Sequence, residues 1–172
     1  MSNFLILYSW FVRCATFFLP DIPPFQMLRG WLYSFGMKKC GGKFRVSHDV
    51  ILNRIDLLDV GTNVYFSTGC VIAGGGDIRI GSNVIFGPNV VIAAANHKFD
   101  GESFVNQYAF GQVIIESNCW IGANVSVLMG TFIASSCVIG AGSVCNKLYD
   151  KPQSLYAGVP ARFIKKIENE AD

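Results

Sequence analysis

The chain has 172 residues with a formal net charge of +2, and 51% of them are hydrophobic against 15% charged. This length suits a single domain, and the small net charge, with no basic cluster along one predicted helix, argues against nucleic-acid binding. The mean hydropathy of +0.38 is high for a monomer that faces water on all sides, which predicts a repeat core or an additional buried interface.

The first nineteen residues form an apolar stretch whose only charged residue is Arg13 and which Pro20 follows. The stretch has neither the basic start nor the small-residue cleavage site of a signal peptide. Three interpretations stay open: a helix on a membrane surface, a helix packed within the protein's own oligomer, or a membrane span of barely sufficient length. Residues 21–36 follow as a predicted helix, with two prolines near its start and Gly36 at its end.

From residue 60 onward, apolar residues recur at every sixth position in three runs. The positions are Val60, Phe66, Ile72, Ile80, Phe86, Ile92, Ile115, Ile121, Val127, Ile133 and Ile139. A six-residue unit is one short strand and a turn, and three units close a triangular coil, so the pattern predicts a solenoid of stacked parallel strands. The residue after each apolar position is mostly small, and such residues are expected at tight corners where φ is positive. The general rule for parallel crossovers favours a right-handed path, and periodicity alone does not overrule it.

Two breaks interrupt the six-residue period. The segment AGGGD, from Ala73 to Asp77, adds two residues at one corner, and residues 96–112 form a longer excursion. A loop of this length extruded from a regular solenoid is typical of a functional site. The sequence therefore divides into an N-terminal hydrophobic and helical segment (1–43), a β-helix (44–156) and a C-terminal turn and short helix (157–172).

The two histidines occupy different kinds of position. His48 falls in an irregular first coil and is interpreted as structural or incidental. His97 lies at the root of the extruded loop, where an imidazole could accept a proton near neutral pH. Its position alone leaves two interpretations open, a surface residue and a general base.

The stretch from residue 80 to residue 166 resembles the hexapeptide-repeat sugar O-acetyltransferases, such as the maltose and galactoside acetyltransferases and those of bacterial surface polysaccharides. The resemblance is carried, in this order, by IRIGSNVIFGPNVVI (78–92), NHKFD (96–100), VIIESNCWIGANV (113–125), IGAGSV (139–144) and AGVPARFIKKI (157–167). It implies an all-β solenoid wound as a left-handed parallel β-helix. It also implies a homotrimer that binds acetyl-CoA in a cleft between subunits and transfers the acetyl group directly to a sugar hydroxyl.

The resemblance assigns roles to individual residues. His97 matches the catalytic histidine that deprotonates the acceptor, and the backbone N–H of Ala123 matches a donor to the thioester oxyanion. The coenzyme is expected to contact the later coils and the C-terminal segment, at Trp120, Ala141, Gly142, Lys147, Arg162 and Lys165. The acceptor is expected at Ser67 and Asn96. Galactoside-type members have an asparagine where Ser67 stands, and the acidic acceptor residue of their N-terminal segment has no counterpart here, so the donor half is better defined than the acceptor half.

The expected acceptor is a sugar of a bacterial surface polysaccharide or of its lipid-linked precursor. This fits a cytoplasmic protein near the inner face of the membrane, with residues 1–19 as a peripheral contact. The same donor half would also serve an amino sugar, serine or an antibiotic, and a non-catalytic β-helix scaffold is a further alternative. A scaffold, however, needs neither a histidine on an extruded loop nor the WIGAN and AGVPARF segments.

A metal is not expected in this chain. The six cysteines include no CxxC pair, which disfavours a zinc knuckle, and they are interpreted as buried, reduced thiols. The chain has only two histidines, whereas the zinc site of the β-helix carbonic anhydrases needs three, which disfavours such a site.

Overall fold

The computed structural model describes residues 3–168, which form two helices followed by a parallel β-solenoid of about six coils. Helix α1 spans Asn3–Thr16 and helix α2 spans Pro23–Ser34, within the helix predicted at 21–36. A 3-10 turn, Ile55–Leu57, separates the first coil from the second. Among the described residues, neither helix has the length and apolar character that crossing a membrane requires.

Three parallel sheets form the sides of the solenoid, and each coil contributes one strand to each side. Sheet A contains β1 (Lys39–Cys40), β4 (Leu58–Val60), β7 (Asp77–Ile80), β12 (Gln112–Ile115), β15 (Phe132–Ile133) and β18 (Leu148–Tyr149). Sheet B contains β2 (Arg45–Val46), β5 (Tyr65–Phe66), β8 (Ile85–Phe86), β13 (Trp120–Ile121), β16 (Val138–Ile139), β19 (Ser154–Gly158) and the antiparallel β20 (Ala161–Lys166). Sheet C contains β3 (Ile51–Leu52), β6 (Val71–Ala73), β9 (Val91–Ala93), β14 (Ser126–Leu128) and β17 (Val144–Cys145). Strands β10 (Ala95–Phe99) and β11 (Phe104–Phe110) form a separate hairpin.

The core is the column of inward side chains that the six-residue period predicts. All eleven predicted positions are at most 1% exposed, which confirms the inward set. Equivalent residues stack from coil to coil, as in the pair Phe66 and Phe86, whose rings lie parallel with centroids 4.4 Å apart. Burying each such side chain contributes about 1.5–3 kcal/mol, so the stacked columns are the main source of stability for the solenoid.

The small residues after the inward positions have a different cause from the one predicted. Positive φ angles occur two residues further on, mainly at asparagines such as Asn83 and Asn124, with φ of 57° at each. Asparagine tolerates this left-handed conformation better than most residues. The small residue itself is needed because successive coils approach closely: a Cβ added to Gly81 would lie 2.5 Å from the backbone nitrogen of Ser117. The prediction that this column carries the positive φ is therefore wrong.

The C-terminal segment is a β-hairpin and not the predicted helix. Strand β19 completes sheet B, and β20 returns beside it in antiparallel pairing from Ser154 with Lys166 to Gly158 with Ala161. The reason is that β19 is the last strand of its sheet and leaves a row of unpaired backbone groups, which a returning strand satisfies and a helix would not. The prediction of a turn and short helix over 157–172 is wrong about the helix, because Ala161–Lys166 is a strand, and residues 169–172 lie outside the described part of the chain.

The helices cover the N-terminal end of the solenoid. Helix α2 packs against β2 closely enough that a Cβ on Gly30 would lie 2.0 Å from the carbonyl oxygen of Phe44. The guanidinium of Arg29 is buried beneath the joint between the helices, where it donates to the carbonyls of Thr16 and Leu19 and to the carboxylate of Asp21. These bonds hold the end of α1 against α2, and a further bond from Arg29 to the Val46 carbonyl (3.4 Å) joins the helices to the first coil.

Candidate active site

A β-hairpin leaves the solenoid at the corner between sheets C and A, between the third and fourth coils. Its strands β10 and β11 pair antiparallel, with a register shift between His97 and Lys98. His97 pairs with Tyr108 on the opposite strand, and the ring centroids are 4.6 Å apart with the planes at 45°. The excursion predicted at 96–112 thus leaves the solenoid as expected, but it is an ordered hairpin.

His97 faces an open depression of about 740 Å³ on this hairpin. The residues that line it are Asn96, His97, Phe104, Val105 and Asn106. Both His97 and Asn96 are exposed, so the imidazole is accessible to a substrate hydroxyl. The depression is lined by apolar and amide side chains together, which suits a ligand with hydroxyl groups and a nonpolar face.

The hairpin rests on the AGGGD turn of the preceding coil, at the same corner of the solenoid. A Cβ on Gly75 would lie 2.3 Å from the ring of Phe110, and a Cβ on Gly76 would lie 1.8 Å from the carbonyl oxygen of Gly111. The two-residue insertion predicted in this turn therefore provides the space in which the root of the hairpin is seated. We therefore expect the backbone position of His97 to depend on these glycines.

A second group of predicted site residues lies at the corner between sheets B and C. Trp120 is on β13, 56% exposed, and pairs with Val138 of the next coil. Ala123 and Ala141 occupy equivalent places in successive coils, as the hydrogen bond from Gly142 N–H to the Ala123 carbonyl (2.8 Å) indicates. Trp120, Ala123, Ala141 and Gly142 are therefore brought together on one edge of the solenoid. We call this edge the BC corner.

The backbone N–H groups of Ala123 and Ala141 donate to no acceptor within residues 3–168. The equivalent place in the coil before Ala123 holds Pro88, whose carbonyl accepts from Asn124 N–H at 2.8 Å. Because proline has no N–H, the third coil offers no donor at this place, whereas the equivalent N–H groups of His48 and Thr68 in the first two coils also lack an acceptor within residues 3–168. An unpaired amide at an accessible corner is the kind of donor that stabilises an oxyanion.

The remaining predicted residues are distributed over several places. Ser67 lies at the BC corner, two coils before Gly122, and is half-buried. Arg162 pairs with Ala157 at the same corner beyond Ala141, whereas Lys165 pairs with Leu155 further along sheet B. Lys147 is exposed just before β18, at the corner between sheets C and A. The structure thus brings Arg162 to the BC corner, but not Lys147.

The structure does not bring His97 and Ala123 to one corner of the same chain. His97 follows sheet C and Ala123 precedes it, so one full side of the triangle separates their corners. At the rise of an extended strand, about 3.3 Å per residue, that side is roughly 15–20 Å long. A site that uses both residues is therefore incomplete in one chain.

Sequence reasoning missed Tyr108 and the residues of β11 that line the depression. The available signal was the abundance of aromatic and β-branched residues in FVNQYAF (104–110), which is typical of a strand and was treated as part of a loop. His48, in contrast, is half-buried and lies against the ring of Phe17 (centroids 5.4 Å apart), in keeping with its interpretation as structural.

The cysteines are not arranged as nucleophiles. All six are unpaired thiols, and Cys70, Cys119, Cys137 and Cys145 are buried. Burial raises the pKa of Cys119 and of Cys145 to about 12, so both stay protonated near neutral pH. Within residues 3–168 no group of three or more histidine, cysteine or acidic side chains is placed to hold a metal ion.

Comparison with known proteins identifies the type of fold and the relatives of the chain. Residues 112–147 match the model of the hexapeptide repeat of succinyl-transferase. The chain is 38% identical over 114 residues to a galactoside O-acetyltransferase of Lactococcus lactis, an alignment that covers 65% of this chain and 54% of that protein. The chain spans 54–57% of the length of the curated relatives it matches.

Two solved structures share the architecture over nearly the whole chain. One is a maltose O-acetyltransferase from Clostridium difficile, with a TM-score of 0.81, 29% identity, and 98% of this chain and 90% of that chain covered. The other is a hexapeptide-repeat acetyltransferase from Vibrio cholerae complexed with acetyl coenzyme A, with a TM-score of 0.83, 22% identity, and 97% and 89% covered. These neighbours are left-handed β-helices, so the predicted fold class and the resemblance to hexapeptide-repeat acetyltransferases are confirmed.

Proposed function

We propose that the protein is an acetyl-CoA-dependent O-acetyltransferase that acetylates a sugar hydroxyl, with His97 as the general base. The observation that carries the proposal is the accessible imidazole of His97 on a hairpin that leaves the solenoid beside an open depression. The similarity to galactoside and maltose O-acetyltransferases supports both the reaction and the class of acceptor.

The reaction needs no covalent intermediate on the protein. An imidazole nitrogen of His97 takes the proton from the acceptor hydroxyl while the oxygen attacks the thioester carbonyl. The tetrahedral oxyanion accepts a hydrogen bond from the Ala123 N–H, which is free for this purpose. Collapse expels the coenzyme thiolate, which recovers the proton from the imidazolium. Base catalysis of this kind contributes about 10²–10⁴-fold to the rate, and loss of one oxyanion donor costs about 10²–10³-fold.

The donor half of the site is assigned to the BC corner. The Trp120 ring would lie along the coenzyme arm, and the Ala141 and Gly142 backbone would meet the pantetheine. Arg162 lies beyond them at the same corner, where its guanidinium would pair with a nucleotide phosphate. Lys165 lies on the same strand as Arg162 and would add a second positive charge near the phosphates. Lys147 lies at a different corner, so it would reach the phosphates only from another subunit.

The complete site is assigned to the contact between two chains of a homotrimer. His97, Asn96 and the depression belong to one chain, and the BC corner belongs to its neighbour. The separation of these groups within one chain supports this arrangement, because a threefold rotation brings the corner after sheet C of one copy towards the corner before sheet C of the next. Ser67, on the BC corner, would then face the acceptor from the opposite side to Asn96.

The acceptor is proposed to be a sugar of a surface polysaccharide or of its lipid-linked precursor, acetylated at the inner face of the membrane. The mixed apolar and amide lining of the depression supports a sugar, whose ring presents hydroxyl groups and a nonpolar face. An amino sugar, serine or an antibiotic would use the same donor half, so the acceptor has to be identified by experiment.

The test is release of free thiol from acetyl-CoA with a panel of acceptors that includes sugars, amino sugars, serine and envelope glycans. We expect acceptor-dependent release that falls at least 10²-fold in His97→Ala. His48→Gln is the matched control, since it changes the other histidine, and its rate should stay within twofold of the unchanged protein. Equal rates for His97→Ala and the unchanged protein would show that His97 is not the general base. If the unchanged protein does not bind acetyl-CoA, the chain is a non-catalytic scaffold and the proposed function is wrong.

A further inference from the structure

Helix α1 directs its small polar residues towards the protein and its large apolar residues towards solvent. Ser9, Val12 and Thr16 are buried, and the Ser9 hydroxyl donates to the carbonyl of Leu52. The opposite side carries an apolar stripe in which each residue is 55–70% exposed: Phe4, Leu7, Trp10 and Phe11. A helix that lies against water has the reverse arrangement, so the outer side of α1 is built for an apolar environment.

Helix α2 continues this apolar surface and adds a positive charge beside it. Trp31 and Phe35 are 55% and 66% exposed, and their rings meet edge to face with centroids 4.8 Å apart. Trp31 and Lys43 line one depression of about 340 Å³ between α2 and the first coil. An indole beside an ammonium group is typical of a surface that sits at a lipid headgroup layer.

The last turn of α1 and the two residues after it also combine a positive charge with exposed aromatic rings. Arg13, Phe17 and Phe18 line a second depression of about 520 Å³, and Phe18 is 92% exposed. The one acidic residue there, Asp49, already accepts hydrogen bonds from the Thr68 hydroxyl and the Gly69 N–H. Its charge is therefore partly satisfied within the protein, whereas Arg13 has no carboxylate partner among the described residues.

The charge of the chain is strongly uneven. Residues 1–48 contain six basic residues and one acidic residue, whereas the rest contains eight basic and eleven acidic residues. The single acidic residue of the first segment, Asp21, is paired with buried Arg29 at 3.0 Å. The exposed lysines Lys39 and Lys43 thus lie without a carboxylate partner within residues 3–168. The end of the molecule that carries the apolar surface is also its positive end.

We propose that the outer surface of the two helices docks peripherally on a bilayer that contains anionic lipid. We call this surface the helical face, and its exposed apolar residues are Phe4, Leu7, Trp10, Phe11, Trp31 and Phe35. Aromatic side chains insert at the headgroup boundary, and the neighbouring cations pair with lipid phosphates. A second copy of the chain is the competing occupant. Two helical faces brought together would oppose positive charge to positive charge, which disfavours that pairing, whereas an anionic bilayer neutralises the same charge.

The docking surface is independent of the transferase reaction, because it lies at the N-terminal end of the solenoid and contains none of the residues assigned to catalysis. In the proposed trimer it would act three times at once. Rotational symmetry places three helical faces at the same height along the axis. Weak contacts of each face would then combine into firm attachment.

The experiment is sedimentation of the full chain with phosphatidylcholine vesicles, with and without phosphatidylglycerol, in the absence of both substrates. We expect binding to the anionic vesicles that weakens as salt is raised. The double variant Leu7→Ser with Phe11→Ser should bind at least tenfold more weakly, because it removes two large inserted side chains. Phe104→Ser is its control, since it removes a comparably exposed ring from the distant hairpin.

Charge is tested by Lys43→Glu against Lys166→Glu, two reversals of the same size at opposite ends of the chain. We expect roughly tenfold weaker binding for the first and little change for the second. Circular dichroism of each variant checks that the fold is retained. If the unchanged protein does not bind anionic vesicles, or if it binds equally after loss of Leu7 and Phe11, the proposal is overturned. A change of oligomeric state in the Leu7 and Phe11 variant without vesicle binding would assign the helical face to a protein interface.

Discussion

At the scale of single residues, the orientation of His97 depends on its cross-strand neighbour. The imidazole lies against the ring of Tyr108, and Tyr108 in turn stacks near Phe110 with centroids 6.1 Å apart. A cross-strand aromatic contact of this kind restricts the rotamers of both side chains. Tyr108 is therefore a positioning residue for the proposed base.

We expect Tyr108→Ala to lower kcat about tenfold with little effect on KM for acetyl-CoA, because the imidazole loses its support but the BC corner is unchanged. Tyr108→Phe keeps the ring and should retain most of the activity. Steady-state kinetics of the two variants separate the roles of the ring and the hydroxyl. Equal losses in both variants would indicate that the phenol group itself takes part.

The buried thiols predict a dependence of stability on pH. Burial raises the pKa of Cys119 from the ordinary 9.0 to about 12, so the folded chain keeps this proton where the unfolded chain loses it. The unfolded state binds fewer protons in that range, and stability falls as pH rises from 9 towards 12. Each pH unit in this window costs about 1.4 kcal/mol from this group.

Urea unfolding at pH 8 and pH 10 would measure this effect, with Cys119→Ala and Cys14→Ala as the compared variants. We expect the loss of stability between the two pH values to be about 1.4 kcal/mol smaller in Cys119→Ala. Cys14 is exposed on α1, so its removal should leave the loss unchanged. The same loss in both variants would show that Cys119 does not titrate on unfolding.

At the scale of elements, the hairpin that carries His97 depends on the glycines beneath it. Gly76 leaves no room for a side chain because the carbonyl of Gly111 occupies that space. Gly76→Ala should displace the root of the hairpin and lower kcat about tenfold or more, since a displacement of about 1 Å can cost 10²-fold. Gly74→Ala is the control in the same turn, because its Cβ would come no closer than 3.6 Å to any atom.

The measurement is kcat together with the unfolding midpoint of each variant. If Gly74→Ala and Gly76→Ala lose activity equally, the loss comes from a general change in the turn. Displacement of the hairpin root at Gly76 would then not be its cause.

The elements also show which features the sequence makes predictable. The six-residue period identified the inward columns because every coil places the same position inside, so one local rule is repeated many times. The hairpin and the C-terminal strand pair were missed because each forms by antiparallel pairing of two strands outside the six-residue repeat. Ala95 pairs with Phe110 in the hairpin, and Ser154 pairs with Lys166 at the C-terminus. Periodicity contains no information about such pairing.

The candidate site was predictable in part for the same reason. The BC corner can be found by aligning FGPNV (86–90) with IGANV (121–125), because the repeat puts Pro88 and Ala123 in equivalent places. The ring contact between His97 and Tyr108 could not be found this way, since it depends on the register of the hairpin.

At the scale of the whole molecule, the solenoid keeps the two halves of the proposed site apart within one chain. Each coil contacts mainly its neighbours, so residues at one corner are stacked together while different corners stay a fixed distance apart. His97 and Ala123 are at different corners, and only a second chain can bring such groups together. This makes the proposed assembly testable through activity as well as size.

The test is complementation between two inactive variants. His97→Ala removes the base, and Ala123→Pro removes the N–H, with little strain expected because Pro88 occupies the equivalent place one coil earlier. Each variant alone should lose about 10²-fold or more in kcat.

The two variants are then unfolded together and refolded as mixed trimers. A site shared between chains needs one intact group from each neighbour, so random assembly restores roughly a quarter of the sites. If both groups act within one chain, every site in the mixture keeps one defect and no activity returns. The control is the same mixture combined after separate refolding, which should stay inactive until subunits exchange.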